Sequence, residues 1–338
     1  MRSKHRAWNK NAVLAIVLVL AVIAAGLLAL NAWEKRRYKI ENAGTSMYIH
    51  DNKAEIYYNG KLYTEKDKLE TILLLGLDKY EDPALAHDGY SNTEQSDFLL
   101  LLVIDHDSQS YTALHLNRDT MADVPVLGVT GSELGVEFEQ LALSHTYGSG
   151  GLDSCRNTGK AVSNLLYGIH IDHYISVTMD AVGALNDLVG GVPVKVEDDF
   201  SGVDDTLVQG ETVNLNAEQA LHFVRSRGDM KNDKTNINRM SRQKAYIHSF
   251  REQFLSKMRD DESFALDALN AVANYTVSDC TINRLSEIAS TVGDYKMTEL
   301  LSLEGEAVKG EEFMEFYPYE DALKKLVVEV FFEPSGDE

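Results

Sequence analysis

Seven bases fall between residues 225 and 244: Arg225, Arg227, Lys231, Lys234, Arg239, Arg242 and Lys244. Arg239, Arg242, Gln243 and Tyr246 are spaced i, i+3, i+4 and i+7, which puts them on one face of a helix. They begin at that helix's N-terminus, where unpaired N–H groups and the positive dipole end already attract an anion. Cations there oppose the dipole, a cost that makes sense if an anion occupies the site. Arginine's planar fork suits bidentate phosphate recognition, and Arg225 and Arg227 add two more forks. The same composition also suits a solvated basic loop neutralised by surrounding acids.

A second group, Asp78, Asp97, Arg118 and Asp119, stands at the ends of apolar runs. Charges often end strands simply because strands end at the surface. Set beside the arginines, however, these carboxylates suggest a phosphate ligand with a divalent metal. The metal would bridge phosphate oxygens while arginine stabilises the transition state.

Three strands must position the acidic group. Residues 71–77 (TILLLGL) end at Asp78, residues 98–104 (FLLLLVI) read as a strand buried on both faces, and residues 110–116 (SYTALHL) follow at once. The linker from His106 to Gln109 is too short for a helical crossover, so the last two strands form an antiparallel hairpin. A turn centred on Asp107-Ser108 makes paired residue numbers sum to 215, which sets Asp97 opposite Arg118. If the first strand runs parallel to the third, Asp78 reaches the same edge. Further on, helices are expected at 157–166, 181–189, from Asn216 as N-cap, 239–258, from Thr281 as cap, and 319–328, with short strands at 174–177 and 193–196. Asn59-Gly60 between Tyr-rich flanks signals an earlier hairpin. The mixed order points to a layered α/β or α+β domain over residues 55–333, read here as α/β, a mixed sheet flanked by helices in α-β-α layers.

The whole chain has 338 residues, 44% hydrophobic and 25% charged, which excludes wholesale disorder. Its two cysteines exclude a disulfide scaffold and a multi-cysteine zinc module. A net charge of −21 argues against bulk nucleic-acid binding. That total hides a split: residues 1–40 carry +7, and the remainder −28. Residues 12–30 hold no polar side chain, are bracketed by Trp8 and Trp33, and are long enough to nearly span a bilayer core. The expected layout is a cytoplasmic tail (1–11), a transmembrane helix (12–32), a stalk (33–54) and an extracellular domain.

Read in order, the motifs are Leu73-Leu74-Leu75-Gly76-Leu77-Asp78, Ser96-Asp97, Asn117-Arg118-Asp119-Thr120, Gly190-Gly191-Val192, Ala220-Leu221-His222-Phe223-Val224-Arg225-Ser226-Arg227 and Arg239-Met240-Ser241-Arg242-Gln243. This ordered set resembles the LytR–CpsA–Psr family of cell-envelope glycopolymer transferases. The resemblance implies transfer of a phosphoglycan from a polyprenyl-pyrophosphate carrier to a peptidoglycan sugar hydroxyl, with Mg²⁺ or Mn²⁺. It implies Asp97 and Asp119 as metal ligands, and Arg118, Arg225, Arg227 and Arg242 on the pyrophosphate with Gln243 beside them. Arg239 and Lys79 join the candidate pyrophosphate ligands. Arg118, Asp119 and Asp97 are the candidate catalytic groups. The chain departs from the family pattern at Lys79-Tyr80, at Gln95 where Arg is usual, at His115-Leu116-Asn117 where Ser-Ile-Pro is usual, and at Asn236 where Asp is usual. A polyprenyl-pyrophosphate phosphatase and a non-catalytic sensor of lipid-linked glycan are the alternative readings.

Smaller signals remain. The Gly-rich loop from His145 to Gly151 lacks a nucleotide-binding lysine. His170 and His173 could mimic a metal pair, although a strand-edge pair without function is the plainer reading. Cys155 and Cys280 permit one disulfide.

Overall fold

The computed structural model describes residues 47–50, 53–78, 94–128, 131–226, 236–311 and 313–335. The expected tail and transmembrane helix, and the candidate ligands Lys79 and Arg227, lie outside the described residues. Among the described residues no helix is long and apolar enough to cross a membrane. The chain divides into two compact units, 1–65 with 334–338, and 66–333.

The described part of the first unit contains an antiparallel meander of β1 (Met47–His50), β2 (Lys53–Tyr58) and β3 (Lys61–Glu65). Its second turn is the expected Asn59-Gly60, with φ of +49° and +77°. Positive φ at both central residues matches the strand twist of a hairpin and explains the Asn-Gly pair.

The second unit is a mixed α/β fold. Its strands are β4 (Leu69–Leu77), β5 (Ser96–Asp105), β6 (Ser110–Leu116), β7 (Met121–Leu127), β8 (Glu133–Gln140), β9 (His173–Thr178), β10 (Val192–Lys195), β11 (Thr212–Leu215), β12 (Thr276–Ser278), β13 (Lys296–Ser302), β14 (Gly305–Lys309) and β15 (Met314–Pro318). Its α-helices are α1 (Gly151–Leu165), α2 (Met179–Leu188), α3 (Ala217–Arg225), α4 (Ile237–Asp260), α5 (Phe264–Val272), α6 (Ile282–Asp294) and α7 (Glu320–Phe331). Six strands form the central sheet in the order β12-β9-β4-β5-β6-β13. Ile72, Leu73, Leu75, Leu99, Leu101 and Ile104 are fully buried, so both faces of β4 and β5 are covered. Leu285 and Ile288 of α6 pack one face, against Ile72, Ile104 and Tyr111.

The hairpin has the expected register. Leu99 pairs with Leu116 and Asp105 with Ser110, each sum being 215. The turn is tightened by Asp105, whose Oδ1 accepts the N–H groups of Asp107 and Ser108 at 3.0 and 2.9 Å. β4 lies antiparallel beside β5, with Leu77 against Ser96, and therefore points the same way as β6. The ends that carry Asp78, Asp97 and Arg118 thus lie along one edge.

A second core holds the arginine-bearing helices. Val192, Val194, Leu215, Phe223 and Tyr246 pack β10, β11, α3 and α4 together. The turn into β10 needs glycine at Gly190 and Gly191, with φ of +88° and +92°. α3 starts with a capping box. Asn216 accepts from the Gln219 N–H, and the Gln219 side chain accepts from the Asn216 N–H. Replacing Asn216 with Ala is expected to cost about 1 kcal/mol, read as a lowered urea midpoint at unchanged m-value.

Candidate functional site

Arg118 follows the end of β6 by two residues, just past the last hairpin pair. Its side chain makes a short ion pair with Asp97 and approaches Asp119 Oδ1 through Nε at 3.4 Å. Nη2 donates to Gln95 Oε1 at 2.6 Å. Arg239, on the first turn of α4, reaches the other oxygen of Asp97 at 3.4 Å. Asp97 is therefore held between two guanidiniums, and Arg118 between two carboxylates. These are deep groups: the side chains of Arg239 and Arg118 are 5% and 9% exposed, and those of Asp97 and Asp119 are 11% and 15% exposed. Burial at this level requires that the charges neutralise one another.

Three of the departures from the usual motif sit inside this cluster and fit one another. Asn236 Nδ2 donates to Asn117 Oδ1 at 3.0 Å, and Asn236 Oδ1 accepts from Arg239 Nε at 2.7 Å. Asn117 Oδ1 also accepts the Asp119 N–H at 3.0 Å, and Gln95 takes a fork of Arg118. At Gln95 and Asn236, neutral amides thus occupy places where charged side chains are usual. With Asn117 they align both arginines and the backbone of Asp119 without adding charge.

The remaining predicted residues divide into two groups. Arg225, at the end of α3, pairs with Asp78 at 2.6 Å and is partly exposed. It shares the edge through Asp78. Arg242 and Gln243 instead turn to the end of α3. Arg242 donates to the carbonyls of Phe223 and Ser226 and pairs with Asp198, and Gln243 donates to the Val224 carbonyl at 3.2 Å. They fix the direction in which Arg225 leaves its helix. Gln140 and Asp198 also touch the predicted residues. Gln140 Nε2 lies 3.3 Å from Asp119 Oδ1 and 2.6 Å from the Met314 carbonyl. Neither belongs to a spacing pattern, so the sequence carries no signal for them.

His115 lies beneath the cluster on β6, almost fully buried, with its ring 4.9 Å from that of Phe98. Burial pushes its pKa down to about 4, helped by the nearby Arg239 and Lys244 cations. It is therefore neutral at pH 7. The unfolded chain binds the proton more tightly, so stability falls as pH drops from about 6.5 towards 4. Each pH unit across that window costs about 1.4 kcal/mol, and the full loss is on the order of 3 kcal/mol. Replacing His115 with Gln is expected to flatten that acid limb, measured as urea midpoints between pH 7 and pH 4.5.

Asp97 and Asp119 suit a hard divalent cation. Both carboxylates flank the Arg118 guanidinium, and Mg²⁺ is commonly bound by one or two carboxylates with substrate phosphates completing its shell. The other described arginines of the set, Arg225, Arg239 and Arg242, also face a carboxylate each. Adding a pyrophosphate to this balanced set would leave excess negative charge unless a cation accompanied it.

Both the sequence and the fold match known proteins. The model of the LytR_cpsA_psr family matches residues 36–328. A protein of Enterococcus faecalis named polyisoprenyl-teichoic acid–peptidoglycan teichoic acid transferase TagU is 28% identical over 287 residues, covering 84% of this chain and 77% of that one. Cell wall biosynthesis protein LcpA of Corynebacterium glutamicum is 27% identical over 290 residues, covering 78% and 53%. Among solved structures, TagT bound to LI-WTA aligns with a TM-score of 0.59 at 19% identity, covering 78% of this chain and 90% of that one. TagV of B. subtilis aligns with a TM-score of 0.55 at 23% identity, covering 78% and 97%. At these identities the solved structures establish a shared fold.

Proposed function

The chain belongs to the LytR_cpsA_psr family, and on that premise we propose that it transfers a phosphoglycan from a polyprenyl-pyrophosphate carrier to a sugar hydroxyl of peptidoglycan. The glycan would be a teichoic acid, a capsular polymer or another secondary wall polymer. The observation that carries this reading is Arg118 held between Asp97 and Asp119 with Arg239 alongside. That arrangement offers both the cations a pyrophosphate needs and the carboxylates that a metal or a proton needs. The names of the relatives support the transferase class.

The residues act as follows. Arg118, Arg239 and Arg225 bind and orient the donor's pyrophosphate, with Arg227 and Lys79 as further ligands. Arg242 and Gln243 hold the end of α3 so that Arg225 faces that edge. The acceptor hydroxyl oxygen forms a bond to the glycan-bearing phosphorus, and the bond from that phosphorus to the bridging oxygen breaks. Polyprenyl phosphate leaves with the electron pair, its charge neutralised by the arginines. The hydroxyl proton passes to the carboxylate of Asp97 or Asp119. A Mg²⁺ or Mn²⁺ held by Asp97 and Asp119 would supply further charge neutralisation at the phosphoryl oxygens. Residues 12–32 would anchor the chain as a single span with the working domain outside the cell, beside a lipid-borne donor and the wall.

The test is to incubate the full-length chain with lipid-pyrophosphate-linked glycan and peptidoglycan oligomers, with and without Mg²⁺. Glycan bound covalently to peptidoglycan is the expected product. Free phosphoglycan would mark the chain as a phosphatase instead. Metal-independent binding without turnover would mark it as a sensor.

A further inference from the structure

At the opposite end of the central sheet, three side chains with different donor atoms meet. They are His173 at the start of β9, and Asp279 and Cys280 in the turn between β12 and α6. One ligand atom from each lies within 4.8 Å of the other two. His173 pairs with Ile72 on β4, while Leu77, at the phosphate edge, pairs with Thr178. Five residue steps at about 3.3 Å put the two sites about 17 Å apart along the strand. This group is therefore separate from the carboxylates and arginines above.

We propose that His173 Nδ1, Asp279 and Cys280 Sγ form a site for a borderline divalent transition metal, of which Zn²⁺ is the representative. One nitrogen, one oxygen and one sulfur donor fit zinc, and the thiolate disfavours Mg²⁺ and Ca²⁺. Three protein ligands leave one position for water.

The surroundings orient each ligand. Asp279 Oδ1 accepts the Tyr174 N–H at 2.9 Å, which turns Oδ2 towards His173 Nδ1 at 3.4 Å. The Cys280 N–H donates to Ser278 Oγ at 3.0 Å, fixing the turn that carries the thiol. Beyond the imidazole, Glu70 Oε1 lies 3.8 Å from His173 Nε2. A carboxylate facing the far nitrogen of a metal-ligating histidine is a common supporting arrangement. Glu70 is itself held by Arg284 and, at 3.0 Å, by His106. Cys280 is a free thiol and partly exposed, so a metal can reach it. Without metal the thiol carries its proton, as an ordinary cysteine does near neutral pH. Binding would release that proton to solvent and form the sulfur–metal bond. The bound ion would clip the turn before α6 to the first residue of β9.

The test uses Co²⁺ as a spectroscopic probe on the purified full-length chain. The expected result is a thiolate-to-cobalt charge-transfer band that saturates at one equivalent, disappears on adding Zn²⁺ and is unchanged by excess Mg²⁺. Cys280→Ser should abolish the band with unchanged circular dichroism, and His173→Gln should weaken Co²⁺ binding by at least about tenfold. Zn²⁺ should also protect Cys280 of the unaltered chain from iodoacetamide, as mapped by mass spectrometry. Cys155 is fully buried and serves as the internal reference. The absence of a band, its persistence in Cys280→Ser, or equal alkylation of Cys280 with and without Zn²⁺ would each overturn the proposal and leave an ion-pair cluster only.

Discussion

Arg118→Ala is expected to lower phosphoglycan transfer by about three to five powers of ten, the range found when a transition-state arginine is supplied or removed in phosphoryl transfer. The side chain touches Asp97, Asp119 and Gln95 at once. Its loss removes a cation from the reacting phosphoryl group and leaves two largely buried carboxylates to repel one another. The fall should appear in kcat as well as kcat/KM, because charge on the phosphate oxygens and the leaving group shifts most in the transition state. Arg118→Lys keeps the charge and loses the fork, so it should recover only part of the rate. Donor binding and circular dichroism on the same variants separate a chemical defect from a collapsed site. Near-normal transfer by Arg118→Ala at saturating Mg²⁺ would remove Arg118 from the reaction.

The second large effect is on stability. Asp97 neutralises both Arg118 and Arg239, whose side chains are 9% and 5% exposed. Asp97→Ala takes one carboxylate away from both guanidiniums, while Arg118 keeps Asp119 and Gln95 and Arg239 keeps Asn236. Breaking a buried pair from one side costs about 3–5 kcal/mol, because the charge left behind is no longer fully compensated. A unit of this size loses roughly 2–4 °C per kcal/mol, so Tm should fall by on the order of 10 °C. Inorganic pyrophosphate should raise the Tm of Asp97→Ala, because an anion between the guanidiniums replaces the missing carboxylate. An unchanged Tm would mean that solvent already screens the two guanidiniums, and the site would lose its claim to be a preorganised anion cradle.

The expectations that rested on local rules were met at the hairpin. The turn residues around Asp107 and Ser108 set a register that carries Asp97 to Arg118. The caps at Asn216 and Thr281 were likewise legible, because capping is decided within four residues. What the sequence did not disclose depends on distant partners. β8 has the mostly exposed sequence ELGVEFEQ, and its strand identity comes from pairing with β7. β13 closes the sheet by running parallel to β6 from 186 residues away, as the Thr112–Thr298 contact shows.

The same limit applies to the site. The spacing of Arg239, Arg242 and Gln243 on one helix face was legible, but what that face meets was not. Arg239 turns to Asp97, whereas Arg242 and Gln243 turn to the carbonyl end of α3. The Asn236–Asn117 bond joins residues 119 apart and explains two departures from the family pattern that looked unrelated. The sequence marks His173 and Cys280 separately, as half of a histidine pair and half of a disulfide. The fold brings them to each other instead, and both cysteines are free.

The most direct measurement follows phosphorus in a single turnover. Lipid-pyrophosphate-linked glycan, labelled in the glycan-bearing phosphorus, is mixed with full-length protein, peptidoglycan oligomers and Mg²⁺. The expected result is the label in a phosphodiester on a peptidoglycan sugar, with one polyprenyl phosphate released for each glycan joined. Label that stays in the donor, or that leaves as free phosphoglycan while the peptidoglycan remains unmodified, would contradict transfer at the Arg118–Asp97–Asp119 site.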